Sequence, residues 1–223
     1  MKPLLLINLK AYEQGTGAKA LSLAKIAERV AKKTGGNIVV AVQPTDIHMI
    51  SKAVSIPVYS QHVDPVDYGA YTGSVLPEAV KQAGAKGTLI NHAEKRIDIE
   101  TIKKTIYICK GLGLVTVVCV PDVAHVDEVA HLDPDFVAFE DPELIGSGKP
   151  ISEVEPENVR KFAQEVKKMN PKIISLCGAG IVTKHDTAMS IKLGMHGVLV
   201  ASAIVKAQDQ EKEISELVHG FGK

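Results

Sequence analysis

The chain has 223 residues, 45% hydrophobic and 23% charged, with 26 acidic and 26 basic side chains and so a formal net charge of zero. That supplies a sizeable core, and its balanced charge argues against nucleic acid or an anionic membrane as a partner, since such binding rests on a positive excess. Three cysteines, Cys109, Cys119 and Cys177, imply no disulfide framework, and the apolar run near the N-terminus is too short for a signal peptide or a membrane span, so a cytosolic protein is expected.

Short apolar runs alternate with amphipathic stretches along the chain. In order, the strand candidates are 4–8, 38–42, 57–61, 87–91, 114–119, 135–140, 172–177 and 197–201. They are rich in Val, Ile and Leu without polar alternation, which suits strands buried on both faces of a parallel sheet. Helices are expected between them at 18–33, 76–83, 97–110, 123–132, 153–169 and 183–193, with a weaker one at 47–54 and a short last helix. In the first, Leu21, Ile26 and Val30 fall near helical spacing. Gly35-Gly36, Gly84, Gly111, Gly113 and Gly194 sit where helices should stop. Eight βα units with no linker or change of composition predict one α/β domain over 1–223, a short (β/α)8 barrel rather than an open doubly wound sheet.

Barrel chemistry gathers at the C-terminal strand ends. There the chain places Asn8 and Lys10, then Asn91-His92-Ala93-Glu94, then Glu140, then Cys177-Gly178-Ala179-Gly180, then Ala201-Ser202. Glu140 ends an apolar strand and precedes a Pro- and Gly-containing loop, Asp141 to Lys149, the layout of a carboxylate beside a lid that closes over an anion. Lys10 lies two residues past Asn8, so the two project alike if the strand continues, and it offers a fixed positive charge. A helix starting near 94–97 would put its N-terminus beside His92 and favour a neutral ring. Gly178 to Gly180 and Ala201-Ser202 offer backbone N–H groups suited to phosphate. Neither a metal-ligand spacing nor a nucleotide-binding glycine motif occurs, so no metal and no cofactor are expected. Cys119 and Cys177 read as small buried strand residues.

Taken together these motifs resemble the triosephosphate isomerase family along essentially the whole chain. Asn8-Leu9-Lys10 is similar to its Asn-x-Lys, Asn91 to Arg96 to its His-Ser-Glu-Arg-Arg segment, and Glu140 to Lys149 to its glutamate and loop. Cys177 to Gly180 and Gly197 to Ser202 are similar to its phosphate-binding turns, and Tyr71-Thr72-Gly73 to its subunit-crossing third loop. The resemblance implies Glu140 as base, His92 as electrophile and Lys10 as a third catalytic group. It implies substrate contacts at Asn8, Leu9, Lys10, Ile145, Gly146, Gly180, Ala201 and Ser202, with Glu94 behind them and Thr72 at a subunit interface. Dihydroxyacetone phosphate and D-glyceraldehyde 3-phosphate would interconvert through an enediolate, in glycolysis and gluconeogenesis, without cofactor or metal. Ala93, Asp141, Glu143 and Cys177 stand where the family usually has Ser, Pro, Trp and Tyr. The short length resembles the archaeal branch, which implies a homotetramer rather than a homodimer. Two other readings fit the same mouth. A Schiff-base aldolase needs a lysine that reacts with a carbonyl, and a non-catalytic phosphate-binding barrel needs only the N–H groups.

Overall fold

The computed structural model describes residues 2–140 and 154–222. Eight parallel strands close into a barrel in sequence order: β1 (Leu4–Asn8), β2 (Asn37–Val42), β3 (Val58–Ser60), β4 (Gly87–Ile90), β5 (Val115–Val120), β6 (Phe136–Phe139), β7 (Ile174–Cys177) and β8 (Gly197–Val200). The expected strands all form, with ends that differ by one or two residues. The open-sheet alternative is excluded by the pairing of β1 with β8, where Leu4 lies opposite Gly197.

Helices α1 (Gly17–Thr34), α2 (Ile47–Ala53), α3 (Pro77–Gln82), α4 (Ile99–Gly111), α5 (Val126–Ala130), α6 (Pro156–Met169), α7 (Lys184–Lys192), α8 (Ser202–Val205) and α9 (Gln210–His219) accompany the strands. The buried stripe of α1 is Ala20, Leu23, Ala24, Ala27 and Val30, with Leu21 and Ile26 partly buried and packed against the core beside it. Two expectations need correction. The helix expected at 123–132 splits, because the Asp122 carboxylate accepts the His125 N–H and holds a tight first turn over Val123–His125. After β8 the short α8 is followed by a ten-residue α9, so the final helix is not short.

Alternation along the strands sorts the core into two layers. One cluster contains Leu4, Leu6, Val39, Ala41, Tyr59, Leu89, Val117, Cys119, Ala138, Leu176 and Leu199, every strand contributing and no helix. It fills the lumen. The other, with Leu5, Ile7, Val40, Val118, Val137 and Phe139 among its members, joins sheet to helices. Each such aliphatic side chain contributes about 1.5–3 kcal/mol by leaving water. Two residues further along, the inward positions of β1, β6, β7 and β8 become Asn8, Glu140, Gly178 and Ala201, and His92 enters from the end of β4. The lumen turns polar at one end because the sequence changes character there.

Closure depends on Gly197. A Cβ at this position would meet the backbone oxygen of Leu4 and lie 2.8 Å from its nitrogen and 3.0 Å from Leu176 Cδ2. Gly197→Ala is expected to part β1 from β8 and to lower stability by about 1–3 kcal/mol, read as a lower denaturant midpoint. An unchanged midpoint would show that the seam has slack.

Candidate active site

The polar end of the barrel holds a cavity of about 340 Å³ whose walls include Asn8, Lys10, His92, Glu94, Glu140, Gly180, Ala201 and Ser202. Each reaches it by a different local device. Phe139 faces outward and stacks on Phe162 of α6, with ring centroids 4.8 Å apart. The Glu140 N–H donates to Val120 O at 2.9 Å, which extends the β5–β6 ladder by one residue. Together these fix Glu140 inward, where it is 2% exposed.

Glu140 Oε1 lies 3.3 Å from His92 Nε2. Among the described residues Oε2 is buried without any hydrogen-bond partner. A buried polar atom left unpaired is unfavourable and calls for an explanation. Beneath it lies Cys119, whose thiol is held well above its usual range, first by burial and then by the neighbouring Glu140 charge. Cys119 is a buried strand residue, as expected, and it lies against the Glu140 carboxylate.

His92 does not stand at a helix N-terminus. The segment after it turns, and α4 begins only at Ile99, capped by Asp98 through the Thr101 N–H. A nearer group decides the ring instead: the Glu94 N–H donates to His92 Nδ1 at 3.1 Å. An Nδ1 that accepts carries no proton, so the ring's proton sits on Nε2, toward Glu140.

Lys10 also arrives differently from expectation. The strand stops at Asn8 and Lys10 takes φ 49°, a left-handed conformation. Its N–H donates to Asn8 Oδ1 at 3.0 Å, and the Gln61 side-chain amide donates to its carbonyl at 3.0 Å. This places the ammonium 2.7 Å from Glu94 Oε1, with 9% of the Lys10 side chain exposed against 59% of the Glu94 side chain. Glu94 thus touches both Lys10 and His92. Leu9, by contrast, is fully buried in the sheet–helix layer and lies outside the cavity wall.

Gly180 has φ 68°. Opposite it, Ala201 precedes the one-turn α8, whose first N–H groups have no partner within the helix. Thr72 is exposed on the 61–76 loop, away from this cavity. Ile145 and Gly146 lie outside the described residues. Among the described residues no group of three or more His, Cys, Asp or Glu could hold a metal, and no helix is long and apolar enough to cross a membrane.

Tyr12 is among the wall residues that sequence reasoning did not single out, and Gly178 has a different part from the one expected. Tyr12 lines the cavity, with the Lys206 ammonium 4.2 Å from its ring centroid. Its position two residues past Lys10 was the available signal. Gly178 was read as a supplier of N–H groups, yet its N–H is already bonded to Phe139 O at 2.8 Å. Its importance is space: a Cβ there would lie 2.6 Å from Glu140 Cγ and 3.1 Å from Phe139 O.

A closed (β/α)8 barrel with a carboxylate, an imidazole and a lysine around a cavity at its C-terminal mouth has the layout of a barrel enzyme. The family model described as triosephosphate isomerase matches residues 3–219. Among curated proteins the chain is 49% identical to the triosephosphate isomerase of Methanobacterium bryantii, covering 97% of this chain and 96% of that protein. It is 45% identical to that of Methanothermus fervidus, covering 97% and 98%. A crystal structure of triosephosphate isomerase from Bartonella henselae superposes with a TM-score of 0.76 over 100% of both chains at 18% identity, a likeness of fold. The chain belongs to the triosephosphate isomerase family. Its activity is the interconversion of dihydroxyacetone phosphate and D-glyceraldehyde 3-phosphate, a step of glycolysis.

Gly178→Ala is expected to displace the Glu140 side chain and lower kcat by about one to two orders of magnitude while the barrel stays folded, as checked by steady-state kinetics and circular dichroism. Wild-type kcat in this variant would mean that Glu140 has room to yield.

Proposed function

We propose that Glu140 is the base that moves the proton between the two carbons of the triose, with His92 as its electrophilic partner. The observation that carries this reading is the pairing of the two groups: Glu140 Oε1 is 3.3 Å from His92 Nε2, and Oε2 has no partner among the described residues. A carboxylate oxygen with free lone pairs takes a proton from the carbon beside the substrate carbonyl. As it does so, charge grows on the carbonyl oxygen, and the proton on His92 Nε2 is placed to meet it. The resulting enediolate is discharged when the protonated Glu140 returns the proton to the adjacent carbon, while His92 exchanges protons with the two oxygens in turn. One carboxylate serves both carbons because they are neighbours.

Lys10 supplies the fixed positive charge for the growing oxyanion, and Asn8 sets the turn that presents it. Gly180, Ala201 and Ser202 hold the phosphate through their N–H groups, on the far side of the mouth from His92. Glu94 acts behind the others, since it holds Lys10 and the His92 ring at once. The Schiff-base alternative needs an uncharged amine, whereas the Lys10 amine is ion-paired with Glu94. Leu9 contributes through its backbone, because its side chain is committed to the core.

We place the protein in the cytoplasm as a single barrel domain over 1–223. Every strand among the described residues belongs to one sheet, and all three cysteines are free and buried, which suits a reducing compartment. We further infer that it self-associates as a homotetramer or homodimer, with Thr72 at an interface. The 61–76 loop exposes Tyr68 and Tyr71 at 66% and 52%. Its base is fastened by Asp64, which accepts the Val75 N–H at 2.6 Å and meets His62 at 3.0 Å. A second cavity of about 260 Å³ shares Lys10, His92 and Glu94 with the first and suits the insertion of such a loop from another copy.

Glu140→Asp withdraws the carboxylate by one methylene and is expected to lower kcat on the order of a hundredfold with little change in KM; turnover close to that of the parent would remove Glu140 as the base. In sedimentation velocity the native protein is expected to run as a dimer or larger. A monomer with full activity would contradict the interface.

A further inference from the structure

We propose that Asn91 is a positioning residue for the isomerisation: its side chain clasps the tips of β4 and β5 and so holds the His92 imidazole against the Glu140 carboxylate. The inference rests on the roles proposed above for those two groups.

Asn91 has φ 60°, a left-handed conformation that asparagine, after glycine, adopts more readily than other residues. Its side chain is put to use there. The amide nitrogen Nδ2 donates to Cys119 O at 2.9 Å, and Oδ1 accepts the Ile97 N–H at 3.0 Å. Both ends of the side chain are therefore used. Its own carbonyl is held as well, because Arg96 Nη1 donates to Asn91 O at 2.7 Å and to Cys119 O at 3.2 Å. Asn91 is 8% exposed, so water competes weakly for these bonds.

The four bonds join three pieces of chain. One is the tip of β4, whose next residue is His92. The second is the 96–97 segment, which closes the turn carrying the Glu94 N–H bonded to His92 Nδ1. The third is Cys119 on β5, whose side chain lies against the Glu140 carboxylate. The clasp thus ties the backbone that carries the electrophile to the strand that borders the base. The residues proposed to hold phosphate, Gly180, Ala201 and Ser202, follow β7 and β8 and share none of these bonds. Loss of the clasp should therefore disturb the chemical step and spare substrate affinity. A loss of general packing would disturb both.

The test is steady-state kinetics in both directions on Asn91→Gly, Asn91→Asp and His92→Gln. Asn91→Gly keeps the left-handed backbone and removes the two side-chain bonds of the clasp, to Cys119 O and from the Ile97 N–H, while the Arg96 bonds to backbone oxygens can remain; its kcat is expected to fall by about 10- to 100-fold, with KM within about twofold. Asn91→Asp keeps an acceptor for the Ile97 N–H but sets a carboxylate oxygen against Cys119 O, and the same split is expected. If Asn91→Gly does not yield folded protein, Asn91→Asp decides on the same criteria. Parental kcat in the glycine variant would overturn the inference, as would a fall in kcat matched by an equal loss of affinity. His92→Gln separates the two levels of argument. If it is inactive while Asn91→Gly is normal, only the positioning role fails. If it is fully active, the imidazole has no role and the clasp has none either.

Discussion

Side-chain alternation in a closed ring of short parallel strands is the constraint on which this molecule depends. Because neighbouring residues face opposite ways, a strand that sends Leu4 and Leu6 into the lumen must send Asn8 there too. The same arithmetic carries Ala138 to Glu140, Leu176 to Gly178 and Leu199 to Ala201. Closure then brings these ends around one mouth. Gly197 allows that closure by leaving β1 room beside β8, and the stack of Phe139 on Phe162 keeps β6 in register.

Within the mouth, charge and hydrogen bonding run in one line. Lys10 is paired with Glu94, the Glu94 N–H fixes the proton position of His92, and His92 faces Glu140. The line moves from a half-solvated rim to a buried end: the Glu94 side chain is 59% exposed and that of Glu140 only 2%. Water can reorganise around the outer members but not around the inner carboxylate, whose Oε2 is left free among the described residues. Glu94 therefore joins Lys10 to His92, the electrophile we propose. Its neighbours explain why an exposed acidic residue belongs in the site.

Most of the architecture was legible in the sequence because buried parallel strands leave a simple signature. Runs such as 38–42 and 197–201 are apolar throughout, and their endings in small or polar residues marked the mouth. The site residues were legible as types at strand ends. The local conformations that present them were not. Asn8 holds the Lys10 N–H locally, yet the motif alone does not announce that the strand stops at Asn8 and that Lys10 turns left-handed, because the turn is also held by a Gln61 amide some fifty residues away in the chain. Nor does the run from His92 to Ile97 reveal that α4 waits until Ile99, since Asp98 is the better cap. Leu9 shows the same limit: its motif neighbours face the cavity while its side chain fills the core.

The sequence by itself determined the eight βα units and set Asn8, Lys10, His92, Glu140, Gly180, Ala201 and Ser202 at the strand ends that meet at the mouth, because these follow from local composition and period. Tertiary structure alone decided how those residues meet. Gly178 matters for the volume it leaves to Glu140, Cys119 for lying against that carboxylate, and Asn91 for reaching across to β5. Each is a contact between strands distant in sequence, set by the closing of the sheet, and no local pattern encodes it.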